Sequence, residues 1–285
     1  MYKLLALDMD GTLLDNNKTI TGPVLEAIRQ LVFNDVHVTI ATGRFPASVW
    51  LHAKYLGLNF PLVALNGAVI LDPITGSELH GTPIEAQIAR KIAEYIETTD
   101  SYVHFYGYNI LFVKELNDMN KRWPYANVVI DPNKELTEDN YRGQVHHIQV
   151  NPVGQLSSFL AGTDNRVYKS TVINENPEVV DALYAEFSTW KELEITRTGK
   201  RRFDINASGV NKKTALQKVC ADAGIAVQDV VTMGDYDNDL EMLKWAGLGI
   251  AMGNGNERAK AAARAVTASN NEHGVAEAIR KYFFS

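Results

Sequence analysis

A single cysteine, Cys220, stands in 285 residues. Neither an intrachain disulfide nor a thiolate zinc cage can be built from it, and a reducing compartment, the cytoplasm, is expected. No apolar run approaches the roughly 20 residues that cross a bilayer; the best one, Leu62 to Leu71, is interrupted at Asn66 and Gly67. Leu4 to Leu7 meets Asp8 before the about 7–15 apolar residues of a signal segment are reached, so no targeting segment is expected either. Basic residues are the minority, 28 Lys plus Arg against 34 Asp plus Glu, for a net charge of -6. That balance argues against nucleic acid or an anionic membrane as partner. Repeats, charge blocks and low-complexity tracts are missing as well. What remains is a globular composition, 46% hydrophobic and 22% charged, at a length that suggests about two domains.

Short apolar runs alternate with helical patterns over the outer parts of the chain. Strands are expected at Leu4 to Asp8, Val36 to Ala41, Leu62 to Leu65, Val230 to Met233, Leu248 to Ala251 and Ala265 to Thr267. Runs this short and this apolar predict a parallel sheet covered on both faces. Helices are expected between them, the first capped by Thr21 with Pro23 in its opening turn. The fold class predicted is α/β, a doubly wound parallel-sheet (Rossmann-like) core. After Pro83 the alternation lapses into a strand-rich middle, with strands at Tyr102 to Tyr106, Ile110 to Val113, Val145 to Val150 and Arg166 to Ile173. An inserted α+β domain over residues 83–196 is expected, with residues 1–82 and 197–285 forming the core.

The chemistry-bearing segments fall just beyond predicted core strands, where open α/β sheets bind ligands. Asp8-Met9-Asp10-Gly11-Thr12 places two carboxylates two residues apart on an extended backbone, and carboxylates so crowded call for a cation. Gly234-Asp235-Tyr236-Asp237-Asn238-Asp239 gathers acids after another strand. It begins like an EF-hand loop but has Leu240 and Ala246 where that loop needs glycine and glutamate. Asp239 could instead cap the next helix, and Asp237 reads as a solvated loop acid. Thr42-Gly43-Arg44, with Pro46 behind it, offers a hydroxyl and free N–H groups near a helix start, an anion seat. Lys212 opens a helix that leads to the Asp235 strand. No P-loop string occurs, the glycines at 253 and 255 do not complete a dinucleotide fingerprint, and His146-His147 in a strand would face opposite ways.

In order and placement these segments resemble the four motifs of the haloacid dehalogenase superfamily. Asp8 to Thr12 resembles its nucleophile motif, Thr42 its phosphate-binding motif, Lys212 its third motif, and Gly234-Asp235 with Asn238-Asp239 its acidic fourth motif. The long insertion between Thr42 and Lys212, with Asn66-Gly67-Ala68 and Ala251-Met252-Gly253-Asn254, resembles the Cof-like (subclass IIB, C2-capped) sugar phosphatases. Lys213 and Gly255 depart from that branch's usual glycine and alanine. The resemblance implies a Mg²⁺-dependent phosphatase acting on small-molecule phosphate esters, with Asp8 as nucleophile and Asp10 as general acid and base. It further implies Mg²⁺ held by Asp8, Asp235 and the backbone carbonyl of Asp10, with Asp239 orienting the metal's water. Met9, Thr42, Gly43, Lys212 and Asn238 would hold the phosphoryl group, and Arg44 and Asn66 would face the substrate. A phosphotransferase or mutase, or a metal- and phosphate-binding sensor without turnover, would use the same residues.

Overall fold

Leu4–Leu7 is buried on every side chain, as only a strand covered on both faces can be. In the computed structural model, which describes residues 2–284, it lies inside a five-stranded parallel sheet. The order is Ala265–Val266, Leu248–Ala251, Val230–Gly234, Leu4–Leu7, His37–Ile40. Helices connect the strands. Gly22–Phe33 turns Val24, Ala27, Ile28 and Leu31 to the core at helical spacing, with Pro23 in its first turn. Thr21 precedes it as expected, but its hydroxyl caps no backbone N–H and meets His273 Nδ1 at 2.9 Å.

Leu62–Ala64 joins this sheet only through a bridge from Val63 to Ala41. Its main partner is Val69–Leu71, which with Glu78–Gly81 completes a separate three-stranded antiparallel sheet. The tight reversal between them uses Asn66 and Gly67 in left-handed conformations, φ 62° and 106°.

The middle of the chain folds into a six-stranded, largely antiparallel sheet. Its order is Leu193–Gly199, Arg202–Ala207, Lys169–Ile173, Tyr102–Tyr106, Ile110–Val113, Gln149–Pro152. One face packs Val103, Phe105, Val172, Phe203 and Ile205 against Ile88 and Ile92 of Ala86–Ile96 and Val180 and Phe187 of Pro177–Phe187. Burying each such side chain contributes about 1.5–3 kcal/mol. The opposite face carries the alternate residues His104, Tyr106, Lys169, Thr171, Arg202 and Asp204.

Two expectations are corrected here. The run Val145 to Val150 is not one strand: a helix, Glu138–Val145, ends there and the strand is Gln149–Pro152. His146 is therefore the cap of a helix, not a strand residue. The return to the core expected at 197 also falls too early. Leu193–Gly199 and Arg202–Ala207 pair as a hairpin in the six-stranded sheet, so the chain crosses back only between Ala207 and the helix Lys212–Ala223.

Candidate active site

The register of the parallel sheet assembles the site. Leu7 lies opposite Met233 on one side and Ile40 on the other, so Asp8, Asp235 and Thr42 leave neighbouring strand ends together. Asp8 is buried, and its Oδ1 accepts a 2.5 Å hydrogen bond from Lys212 Nζ. Lys212 also donates to Asp239 Oδ1 at 2.7 Å. Asp239 does not cap the helix that follows; its Oδ2 turns back to accept the N–H groups of Asp235 and Tyr236 at 2.9 and 3.1 Å. Gly11, at φ 83°, packs so closely on Asp235 that a Cβ there would lie 2.4 Å from its Oδ2.

Carboxylate atoms of Asp8, Asp235 and Asp239 lie within 4.8 Å of one another. Burial raises the pKa of Asp8, Lys212 opposing it and Asp239 adding to it. Burial likewise raises that of Asp235, reinforced by Asp8 and Asp239. Burial disfavours the Lys212 ammonium, but Asp239 and Asp8 outweigh it and raise its pKa. The donor set fits a divalent cation. Asp239 is fully engaged, whereas Asp235 receives only a long 3.4 Å hydrogen bond from the Thr12 hydroxyl. Two crowded, under-paired carboxylates are what a hard, oxygen-seeking ion such as Mg²⁺ takes up.

The Thr42-Gly43-Arg44 segment flanks this cluster. The Arg44 N–H donates to the Thr42 hydroxyl at 3.3 Å, and a Cβ on Gly43 would meet Asn66 Oδ1 at 2.7 Å, so the turn accepts little beyond glycine. Arg44 itself is folded onto Asp10, with Nε and Nη2 each 2.8 Å from a carboxylate oxygen and Lys18 Nζ adding a third donor at 2.9 Å. Burial works against the Asp10 carboxylate, but Arg44 and Lys18 outweigh it and hold its pKa well below the usual range.

A cavity of about 490 Å³ opens over these residues, lined by Asp8, Asp10, Thr42, Gly43, Arg44, Asn66, Asp235 and Asn238 from the core. Met9 is brought to the site only by its backbone, since its side chain is in the hydrophobic core. Asp237 is not the solvated acid expected: Arg258 and Asn256 clasp it at 2.6 and 2.9 Å.

The roof of the cavity comes from the polar face of the six-stranded sheet, and sequence reasoning missed all of it. Tyr106, Lys169, Thr171, Thr198, Arg202 and Asp204 line it. Buried Lys169 donates to Asp204 Oδ2 at 3.0 Å and to the Gly43 carbonyl at 2.7 Å, and lies 4.2 Å from the Tyr106 ring centroid. Asp204 also accepts from Asn66 and Thr171. This pair thus grips the Thr42 to Arg44 turn from two sides, because the Asn66 N–H donates to the Thr42 carbonyl at 2.9 Å. The polar-apolar alternation of Arg202-Phe203-Asp204-Ile205-Asn206 was the available signal. Lys169→Met leaves a buried anion uncompensated and is expected to destabilise the protein by roughly 3–5 kcal/mol, read from urea unfolding. In Lys169→Met/Asp204→Leu most of that loss should return, since replacing a buried pair by apolar groups is often neutral.

Residues 5–279 match the family model described as haloacid dehalogenase-like hydrolase. The 5-amino-6-(5-phospho-D-ribitylamino)uracil phosphatase YcsE of Bacillus subtilis is 32% identical to this chain, with 98% of this chain and 95% of the relative covered. YitU, a phosphatase of the same description from the same organism, is 29% identical over 98% and 97%. A solved haloacid dehalogenase-like hydrolase from B. subtilis superposes with a TM-score of 0.83 at 26% identity, over 99% of both chains.

Proposed function

The chain belongs to the haloacid dehalogenase-like hydrolases and is a phosphatase by that membership; on this premise we propose a Mg²⁺-dependent hydrolase of small phosphorylated metabolites that works through an aspartyl phosphate on Asp8. One observation carries the reading: Asp8 lies at the cavity floor, bonded to Lys212, between the under-paired Asp235 and the Thr42-Gly43 turn. Phosphate esters of the polyol or sugar type suit a cavity of this size, whose lining sets carboxylates, amides, hydroxyls and cationic groups beside Phe45, Tyr106 and Trp123.

A phosphate dianion meeting a carboxylate is repelled by about 4 kcal/mol per unit-charge pair at 4 Å and an effective dielectric near 20. Asp8, Asp235 and, by family resemblance, the Asp10 carbonyl would hold Mg²⁺, which supplies the neutralising charge. Lys212, Thr42, Gly43 and Asn238 then seat the phosphoryl oxygens, with the Met9 backbone beside them. A carboxylate oxygen of Asp8 bonds to phosphorus as the ester P–O bond breaks, and its electron pair leaves with the alcohol oxygen, which Asp10 protonates. Water next bonds to the same phosphorus, giving its proton to Asp10, and orthophosphate departs as the Asp8 carboxylate is restored. The incoming dianion competes with Asp10 for Arg44, and that competition frees Asp10 to take up the proton it must deliver.

The test is orthophosphate release over a panel of sugar phosphates, nucleotides, flavin mononucleotide and pyridoxal phosphate with Mg²⁺ present. Replacing Mg²⁺ by Ca²⁺ is expected to lower turnover about tenfold or more, because Ca²⁺ takes longer and looser ligation and misplaces Asp8 relative to phosphorus. Equal rates with the two ions, or full activity in excess chelator, would remove the metal from the reading.

A further inference from the structure

Four cationic side chains line the cavity, and three of them are bonded to protein groups before a ligand arrives. Lys18 and Arg44 both bond to Asp10, and Lys169 is held between Asp204 and the Gly43 carbonyl. Arg202 differs. Its single hydrogen bond runs from Nε to the Thr198 carbonyl at 3.4 Å, and among the described residues no carboxylate pairs with it, so both of its terminal nitrogens are uncommitted. Thr198, on the other strand of the same hairpin, lines the cavity too, and its hydroxyl is buried without a partner. That hairpin's first strand, Leu193–Gly199, lies against the Asp237–Asp239 turn, and the free groups line the same cavity as Asp8, Asp235 and Asn238.

We propose that Arg202 and the Thr198 hydroxyl form a second anion subsite, which makes the preferred substrates phosphate monoesters bearing a further acidic group, a carboxylate or a second phosphate. The inference rests on the reading of Asp8 and the Thr42 to Arg44 turn as the phosphoryl seat. A guanidinium presents a planar fork that matches both acids, and charge-assisted pairs of this kind are stronger than neutral ones. A hydroxyl-only sugar offers the fork nothing that water does not. Asp204, on the same face of the same strand, is already neutralised by Lys169, and Asp10, which lines the same cavity, by Arg44 and Lys18. The positive charge of the roof is therefore left for the ligand.

The matched probes are 6-phosphogluconate and glucitol 6-phosphate, which differ in a carboxylate against a hydroxymethyl group at the end far from the phosphate. Glucitol 1,6-bisphosphate supplies the second phosphate. Binding is measured by calorimetry to the Asp8→Asn protein with Mg²⁺, so that turnover does not intervene. Expected is a ten- to hundredfold tighter binding of at least one diacid than of glucitol 6-phosphate, about the value of hydrogen bonds to a charged group. Arg202→Gln in the same background should erase that preference and leave orthophosphate affinity within about twofold. Equal binding of all three probes, or a preference that survives Arg202→Gln, overturns the subsite while the phosphatase reading stands. Weaker orthophosphate binding in Arg202→Gln also overturns it, placing Arg202 at the reacting phosphoryl group. Orthophosphate failing to bind the Asp8→Asn protein at all would take down the phosphoryl seat, and the subsite with it.

Discussion

Asp8→Asn is expected to lower orthophosphate release at least about 10⁴-fold, equivalent to roughly 5 kcal/mol of barrier. An amide is too weak a nucleophile to form the acyl phosphate, and in this cavity no other carboxylate can replace it. Asp235 belongs to the cluster but has no hydrogen bond from Lys212, Asp239 is bonded to Lys212 and two amides, Asp10 is clasped by Arg44, and Asp204 is held by Lys169. The same variant is expected to keep its fold. Burial and Asp239 raise the pKa of Asp8, Lys212 opposing them. An acid whose folded pKa lies above its unfolded value destabilises the native state at pH values where the unfolded chain has ionised it. Removing that charge near pH 7 therefore relieves the acidic cluster, and Lys212 retains Asp239. Thermal unfolding should show a Tm no lower than that of the parent protein. Residual activity above about one per cent, only some 3 kcal/mol of barrier, would show that Asp8 is not the nucleophile; a collapsed Tm would show that the charge is structural.

The residues of the core were legible because each sits where residue type and position agree. Asp8, Thr42 and Asp235 follow short apolar runs that could only be buried parallel strands, and such strands end side by side. Lys212 was legible by its place at a helix start, although the capping box of Asn211 and Thr214 that seats it went unread. The roof was opaque for a different reason. Lys169 and Thr171 share one strand, but Asp204 lies more than thirty residues further along the sequence and meets them only through antiparallel pairing, with Thr171 opposite Asp204. Alternation predicts that they share a face, yet it does not say which strands are neighbours or that the face looks onto Gly43. The boundary misplaced at 197 has the same origin. The hairpin Leu193–Gly199 and Arg202–Ala207 pairs with Lys169–Ile173, far earlier in the chain, and nothing local in the hairpin states that. Arg44 is an intermediate case: its position beside the anion seat was readable, but its attachment to Asp10 depends on how two strand ends face each other.

That attachment decides what Asp10→Asn should do. The variant is expected to slow phosphoryl transfer to Asp8 by about 10²–10⁴-fold, the usual range for a lost general acid. It should spare Mg²⁺ affinity, because the ligand assigned at this position is a backbone carbonyl. An asparagine cannot accept both arms of the Arg44 guanidinium as the carboxylate does at 2.8 Å each, so the substitution also frees Arg44. Two effects are then superimposed, a missing proton and a loosened arginine. Leaving groups separate them. An aryl phosphate departs with little need of protonation, whereas an alkyl phosphate of the sugar type requires it, so the missing proton harms the alkyl ester far more. A loosened Arg44 harms both alike, and Arg44→Gln, read on the aryl ester that draws little on the proton of Asp10, gives the size of that component. Single-turnover phosphorylation rates isolate the acid step from the later attack of water. A loss in Asp10→Asn that is greater for the alkyl than for the aryl ester, beyond the common loss in Arg44→Gln, assigns the proton to Asp10. Equal losses on the two esters, or a protein that no longer binds Mg²⁺, would make Asp10 an anchor for Arg44 or a metal ligand instead of the acid.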